Sequence, residues 1–334
     1  MAVRVGINGL GRTGRAFIHA VLETGADIEI AGVNDPDDNA TLARLFKDDM
    51  ARGRARAEVS HTEDTITVGD HVFKAMAERD PAKLPWGEFG ADVVIETADT
   101  PQRRYVVATH LAAGAKKVIV SAPVKEADVT LVVGVNQDQY DTANHHVISA
   151  ASILANCAAP MAKVLHGEFG IADCVLSAVH SGVAEQHGEV SKYSPDPRIA
   201  WAAAGTIAAT GTDTAACVAQ VLPALRGKLD AGGVLVPLVT GSLIDLVVQL
   251  DRDVTREEVN DAFRTSSTGA LKGVLDYLED PVVSSDVVGR DASCLFDPSL
   301  TTTRGRRAKV TGWFDGWGYA NRLLDLALFV GAQL

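Results

Sequence analysis

Cysteine is scarce in this chain of 334 residues, with four present. Cys157, Cys174, Cys217 and Cys294 are scattered and form no C-x-x-C pair. That spacing argues against both a secreted disulfide framework and a cysteine zinc site. Aromatic residues make up only 5% of the chain. No apolar run reaches the roughly 18 residues that a membrane span needs. Positive charge is also short: 31 Lys and Arg face 43 Asp and Glu, a net charge of −12. No block of consecutive basic residues offsets this, and a pair such as Arg306-Arg307 reads as solvated surface. Neither a nucleic acid nor an anionic membrane is therefore an expected partner. The opening MAVRVGINGL enters a strand pattern at once and has no signal-peptide profile, so the expected location is the cytoplasm.

What is present is ordinary for a globular protein, 47% apolar and 22% charged. The length fits two domains of roughly 150 residues each, able to bury a core without metal or disulfide. The first half alternates short apolar runs (3–7, 28–34, 93–96, 117–121, 131–135) with helical patterns (14–23, 40–46, 103–113). Such alternation predicts βαβ units and a parallel sheet, with residues 60–74 as a small antiparallel insertion. The second half has longer strand patterns (174–180, 234–237, 243–250) and helices at 213–225 and 255–265. Thr255 with Glu258 forms a capping box opening the latter. This predicts an α/β protein in two domains. The first is a dinucleotide-binding domain of 1–150 plus 316–334, closed by an apolar helix over 320–330. The second, of 151–315, has a mixed or antiparallel sheet backed by helices.

Gly9-Leu10-Gly11-Arg12-Thr13-Gly14 is a G-x-G-x-x-G that follows a strand and opens a helix. In that context the glycines let the backbone approach a pyrophosphate, which the helix N-terminus stabilises. The second strand ends in Asn34-Asp35-Pro36, placing a carboxylate where it can accept from ribose hydroxyls and repel a 2′-phosphate. NAD is the expected cofactor. The competing reading is a tight turn with Asp35 capping a loop.

These segments closely resemble the glyceraldehyde-3-phosphate dehydrogenase family. The resemblance is carried by VGINGLGRTGR (5–15), VNDPDD (33–38), ERDPAKLPWG (78–87), VIVSAP (118–123), VGVN (133–136) and ASILANCAAPMAKVLH (151–166). It continues through VLPALRGKL (221–229), SSDVVG (284–289) and GWFDGWGYANRLLDL (312–326). It implies a Rossmann domain, a mixed-sheet catalytic domain, bound NAD, a small-molecule substrate and a homotetramer. It further implies cofactor contacts at Asn8, Gly9, Gly11, Arg12, Thr13, Gly14, Asn34, Asp35, Arg79, Thr97, Ser121 and Asp315.

The family works through a cysteine thiolate that attacks the aldehyde, aided by a histidine. In this chain Ile153 stands at the nucleophile position, followed by Leu154 and Ala155, while the histidine remains as His180. Cys157 lies one turn further, about 6 Å along a helix axis, and reads as a core thiol. Ser152 precedes the nucleophile position and is a candidate substrate contact. In the segment that meets the substrate phosphate, Thr210 and Thr212 remain, Asp213 replaces a glycine, Ala216 stands where lysine is common, and Leu235 replaces an arginine. Asp213 is either a carboxylate in the substrate pocket or a helix N-cap. Trp313-Phe314-Asp315-Gly316-Trp317 lacks the family's carboxamide-binding asparagine, and Thr97-Ala98-Asp99 replaces a Ser/Thr-Thr-Gly segment.

From these departures the sequence predicts that phosphorylating oxidation of glyceraldehyde 3-phosphate is lost. The expected function is a repurposed NAD(H)-dependent oxidoreductase without thioester chemistry. It would use a non-phosphorylated or nicotinamide-like substrate, with His180 as acid/base and Asp213 beside it. The alternative is a non-catalytic NAD-binding regulatory or scaffold protein, with His180 as a core residue. A further variant has Ser152 or Cys157 as nucleophile.

Overall fold

Alternation of buried strands with amphipathic helices produces, in a computed structural model, the doubly wound arrangement expected of the first half. The structure describes residues 2–49, 53–54, 57–98, 103–181 and 205–334. The chain divides into two units. One comprises Met1–Leu131, Gln137–Ala151 and Ala320–Leu334; the other comprises Val132–Asn136 and Ser152–Tyr319.

The first unit holds a nine-stranded sheet. Its order is Val129–Thr130, Val147–Ser149, Lys117–Val120, Val93–Glu96, Val3–Asn8, Ile28–Asn34, His71–Met76, Thr65–Val68 and Val59–His61. The first seven strands are parallel and the last two add an antiparallel hairpin. Val93, Val94, Ile95, Val118, Ile119 and Val120 are all fully buried, as strands covered on both faces must be. Phe17, Ile18 and Val21 bury one face of the helix Arg12–Thr24. Each such apolar side chain contributes about 1.5–3 kcal/mol by leaving water. The last helix, Gly316–Gly331, delivers Leu323, Leu326, Ala327 and Val330 to this unit's core. Its Gly331 lies against Val3 with no room for a Cβ.

Two local expectations need correcting. Residues 131–135 form no strand; the strand is Val129–Thr130, and Gly134 turns the chain at φ +82°. The Val132 N–H bonds the Asn136 side chain at 2.9 Å instead of a neighbouring strand. The helix expected over 103–113 is two short pieces, Arg104–Val107 and Thr109–Ala112.

The second unit holds an eight-stranded sheet, ordered Ala208–Thr210, Leu229–Val236, Ile171–Ser181, Ser242–Leu250, Arg307–Phe314, Cys294–Phe296 and Leu275–Tyr277, with Thr302–Arg304 paired to Arg307–Phe314. It is mixed, because Ile171–Ser181 runs parallel to Leu229–Val236 and antiparallel to Ser242–Leu250. Along Ile171–Ser181 the residues Cys174, Leu176 and Ala178 are buried while Asp173, Val175 and Ser177 are exposed. One face is therefore covered and the other is not. The helix expected over 213–225 stops at Val221, since Pro223 cannot donate to its ladder. The capping box of Thr255 and Glu258 opens the helix Arg256–Thr268 as expected.

Candidate active site

At the end of Val3–Asn8, Gly9 turns with φ +98°, and a Cβ there would lie 2.5 Å from the Ala98 nitrogen. Only glycine fits. Gly14, in the first turn of the helix, packs under the Gly9 carbonyl. The loop is then tied from several sides. The Gly9 N–H donates to the Asn34 carbonyl at 2.7 Å. The Thr97 hydroxyl donates to the Gly9 carbonyl at 2.6 Å. The Leu10 N–H donates to Asp35 Oδ2 at 2.7 Å, and Arg15 Nη1 donates to the Leu10 carbonyl at 2.8 Å.

Gly11 caps the helix Arg12–Thr24 in an extended conformation, with no side-chain cap. A Cβ on it would meet nothing within 4 Å. The helix start, beside exposed Arg12 and half-buried Thr13, is thus uncovered at Gly11 and uncapped by any side chain, which fits a pyrophosphate. Asp35 also holds the Asp37 N–H at 3.0 Å, so it braces the loop. Each of its oxygens keeps a further lone pair for a ribose hydroxyl. The loop-capping reading of Asp35 is the one these bonds show.

Beneath this loop lies a buried polar chain that the sequence reading missed. Asn34 Nδ2 donates to Asn8 Oδ1 at 2.7 Å, and Asn8 Nδ2 donates to Glu96 Oε2 at 2.8 Å. His110 Nε2 bonds the same Glu96 oxygen at 2.8 Å, and Trp86 Nε1 donates to His110 Nδ1 at 2.9 Å. An indole only donates, so His110 Nδ1 accepts and Nε2 carries the proton towards Glu96. The Ala98 N–H completes the Glu96 carboxylate at 2.7 Å. A carboxylate ending the apolar strand VVIE was the available signal, but its partners lie 14 and 88 residues away.

The network corrects the expected cofactor roles of three side chains. Asn8 and Asn34 turn their amides inward, Asn34 also bonding the Glu78 backbone, and Thr97 spends its hydroxyl on the loop. All three shape the loop from below. Arg79 is exposed after the strand His71–Met76, and half-buried Ser121 donates its N–H to the Glu96 carbonyl at 2.9 Å. Asp99 lies outside the described residues.

In the second unit, Ser152 caps the helix Ile153–Phe169, its hydroxyl accepting from the Ala155 N–H at 3.1 Å. Just before it, Ala151 adopts φ +55°, a conformation costing a non-glycine residue about 1–2 kcal/mol. Ile153 and Leu154 are half-buried as the first two helical residues. Cys157 is fully buried, and burial, with Cys294 beside it, raises its thiol well above the ordinary range. It stays protonated at neutral pH and cannot substitute for a thiolate at 153. Burial likewise pushes Cys174 and Cys217 up to about 12.

His180 lies near the end of Ile171–Ser181, level with Leu235 on the next strand, which is itself level with Ala208. Its Nδ1 is 3.0 Å from the Ser242 hydroxyl, and its ring stacks on Phe314 at 6.1 Å between centroids. Leu235 thus puts an apolar side chain beside the histidine. Thr210 and Thr212 use their hydroxyls locally, on the Gly211 carbonyl and the Thr214 hydroxyl. Asp213 stands at the N-cap of Thr214–Val221, exposed and without a side-chain cap bond. Asp315 requires correction: its carboxylate accepts from the Gly289, Trp317 and Gly318 N–H groups at 2.8, 3.0 and 3.2 Å. It fastens the start of the last helix, and both of its oxygens are engaged by backbone.

With this geometry established, two family models match the chain. Residues 3–103 match the glyceraldehyde 3-phosphate dehydrogenase NAD binding domain, and residues 152–316 match the C-terminal domain of the same family. The chain belongs to the glyceraldehyde-3-phosphate dehydrogenase family. It is 53% identical to a glyceraldehyde-3-phosphate dehydrogenase of Streptomyces coelicolor over 100% of both chains. It is 50% identical to glyceraldehyde-3-phosphate dehydrogenase 2 of Streptomyces avermitilis and 46% identical to the enzyme of that name from Mycobacterium leprae, again over 100% of each. The chain is accordingly an NAD-dependent oxidoreductase of an α/β fold.

These relatives overturn the expected function. Full-length similarity at 46–53% to proteins named glyceraldehyde-3-phosphate dehydrogenase points to that activity, not to a repurposed oxidoreductase or a binding scaffold. The non-thioester chemistry inferred from position 153 finds no support either.

Among the described residues no helix is long and apolar enough to cross a membrane, and no group of His, Cys, Asp or Glu is placed to hold a metal.

Proposed function

We propose that this chain carries out the NAD-dependent dehydrogenation of glyceraldehyde 3-phosphate, the activity its relatives' names describe. The carrying observation is the 53% identity over the full length of both chains. NAD, when bound, accepts a hydride from the substrate carbon. The amides after Gly11, with Arg12 and Thr13, hold its pyrophosphate, Asp35 holds the adenosine ribose, and Arg79 and Ser121 complete the cradle. His180, oriented by Ser242 and Phe314, moves the proton of the reacting oxygen or sulfur. Ser152, at the start of Ile153–Phe169, and Thr210 and Thr212, which with Asp213 precede Thr214–Val221, meet the substrate.

Ile153 supplies no nucleophile. Loss of a covalent nucleophile leaves residual acceleration from binding and the remaining polar groups, so position 153 sets the rate. We expect slow, enzyme-dependent NADH formation from glyceraldehyde 3-phosphate and NAD, in which the hydrated aldehyde gives its hydride to NAD and a hydroxyl proton to His180 and leaves as the carboxylic acid. In Ile153→Cys the rate rises by orders of magnitude, because a thiolate at a helix N-terminus is stabilised there. The introduced thiol should react with Ellman's reagent under native conditions, while the four buried native thiols stay silent. NAD binding without NADH formation in either protein would refute the proposed activity.

A further inference from the structure

The buried polar chain beneath the cofactor loop has a direction, and both of its ends impose it. At one end the Asn34 amide is clamped by the Glu78 backbone. Its Nδ2 donates to the Glu78 carbonyl at 2.9 Å, and its Oδ1 accepts from the Glu78 N–H at 2.9 Å. A carbonyl only accepts and a backbone N–H only donates, so Asn34 has one orientation. Its Nδ2 also donates to Asn8 Oδ1, which leaves Asn8 Nδ2 to donate to Glu96. At the other end the Trp86 indole makes His110 Nδ1 an acceptor, so Nε2 donates to Glu96 as well.

The two halves meet at Glu96. Its Oε2 accepts from Asn8 and from His110, each at 2.8 Å, and its Oε1 accepts from the Ala98 N–H at 2.7 Å. Three donors thus converge on a side chain whose residue is 1% exposed. Only a carboxylate serves all three. An amide of the same shape has one oxygen, and its NH2 would face a donor whichever way it turned. In a buried site a donor facing a donor is a direct cost. The Ala98 N–H held in this way is also the group that closes on Gly9, where a Cβ would lie 2.5 Å from the Ala98 nitrogen. The carboxylate therefore governs where the chain after Val93–Glu96 lies against the loop.

We propose that Glu96 is a positioning residue for the cofactor: its carboxylate, aligned by Asn8 and His110, holds the Ala98 backbone against Gly9 and so shapes the G-x-G-x-x-G loop before the dinucleotide arrives. The bond directions stand on hydrogen bonding alone; their effect on NAD rests on this loop as its binding site.

The test is calorimetric titration of NAD into the full-length protein, at a temperature where every variant is folded. Glu96→Gln should weaken NAD binding at least about tenfold, because its NH2 turns to Ala98 and releases it. His110→Gln keeps a donor for Glu96 and an acceptor for Trp86, so its NAD affinity should stay within about threefold of wild type even if its melting temperature falls. Wild-type affinity in Glu96→Gln overturns the proposal. Equal losses of affinity in the two variants would indicate a purely structural role and overturn it as well. The wild type gives a second reading through ¹⁵N-histidine correlation spectra, with His110 assigned by loss of its signal in His110→Gln. They should show the Nε2–H pattern at neutral pH; an Nδ1–H or doubly protonated ring overturns the proposal. Titration reads the cofactor alone, so the expected affinities without NADH formation would uphold the positioning role and defeat the activity proposed above.

Discussion

The cofactor loop of the first unit and the helix start of the second are built on opposite plans. Around Gly9 close glycine packing is joined by redundant polar ties: Asn34, Thr97, Asp35 and Arg15 grip the backbone, and Glu96 and His110 hold those grips from beneath. Around Ile153 the Ser152 cap, the Ser149 hydroxyl, the Asn156 amide and a strained alanine set the backbone, and the first helical side chains, Ile153 and Leu154, are apolar. Redundant polar bracing holds a shape that a charged ligand reads through backbone amides. A site that works through side chains can keep its backbone and still change a reacting atom.

The sharpest way to break that contrast is Gly9→Val. Its side chain would have to adopt a positive φ and enter the space of Ala98. NAD affinity by titration calorimetry should fall more than about a hundredfold, near 3 kcal/mol, with the far-ultraviolet spectrum retained. Unchanged affinity would mean that the loop is not read by its backbone. His110→Leu tests the layer beneath. It removes a donor from buried Glu96 and the acceptor of the Trp86 indole, so urea denaturation should show a loss of about 2–4 kcal/mol. A loss below about 0.5 kcal/mol would show the network to be dispensable. Ser152→Ala probes the sparser region and should cost only about 1 kcal/mol, as for other N-caps. If it costs as much as His110→Leu, the two regions are not built differently.

The legible parts of the site were those written in neighbouring residues. Gly9 and Gly14 announce their loop because a tight turn and a close packing contact need glycine at a fixed spacing, and Gly11 between them leaves the helix start uncovered. Thr255 with Glu258 was readable for the same reason, since a capping box spans one turn. Asn8, Asn34 and Asp315 stood out in the sequence, but the partners of their side chains, backbone and buried polar groups, did not. The residue types at 153, 213, 216, 235 and 313–317 are legible in the sequence, but they do not outweigh similarity along the whole chain. One residue type speaks to one step of a reaction, whereas identity at about half of all positions speaks to the whole of it.

By itself the sequence determined the two-domain α/β plan, the dinucleotide loop, NAD as cofactor and the family. Those follow from local periodicity, glycine spacing and ordered motifs, which need no distant partner to be seen. Only the tertiary structure decided that Glu96 joins Asn8 to His110 and Trp86, that Cys157 is sealed against chemistry, and that Ser242 meets His180 across 62 residues of chain. A buried hydrogen bond is chosen by which strands lie side by side, and strand order is a property of the folded chain.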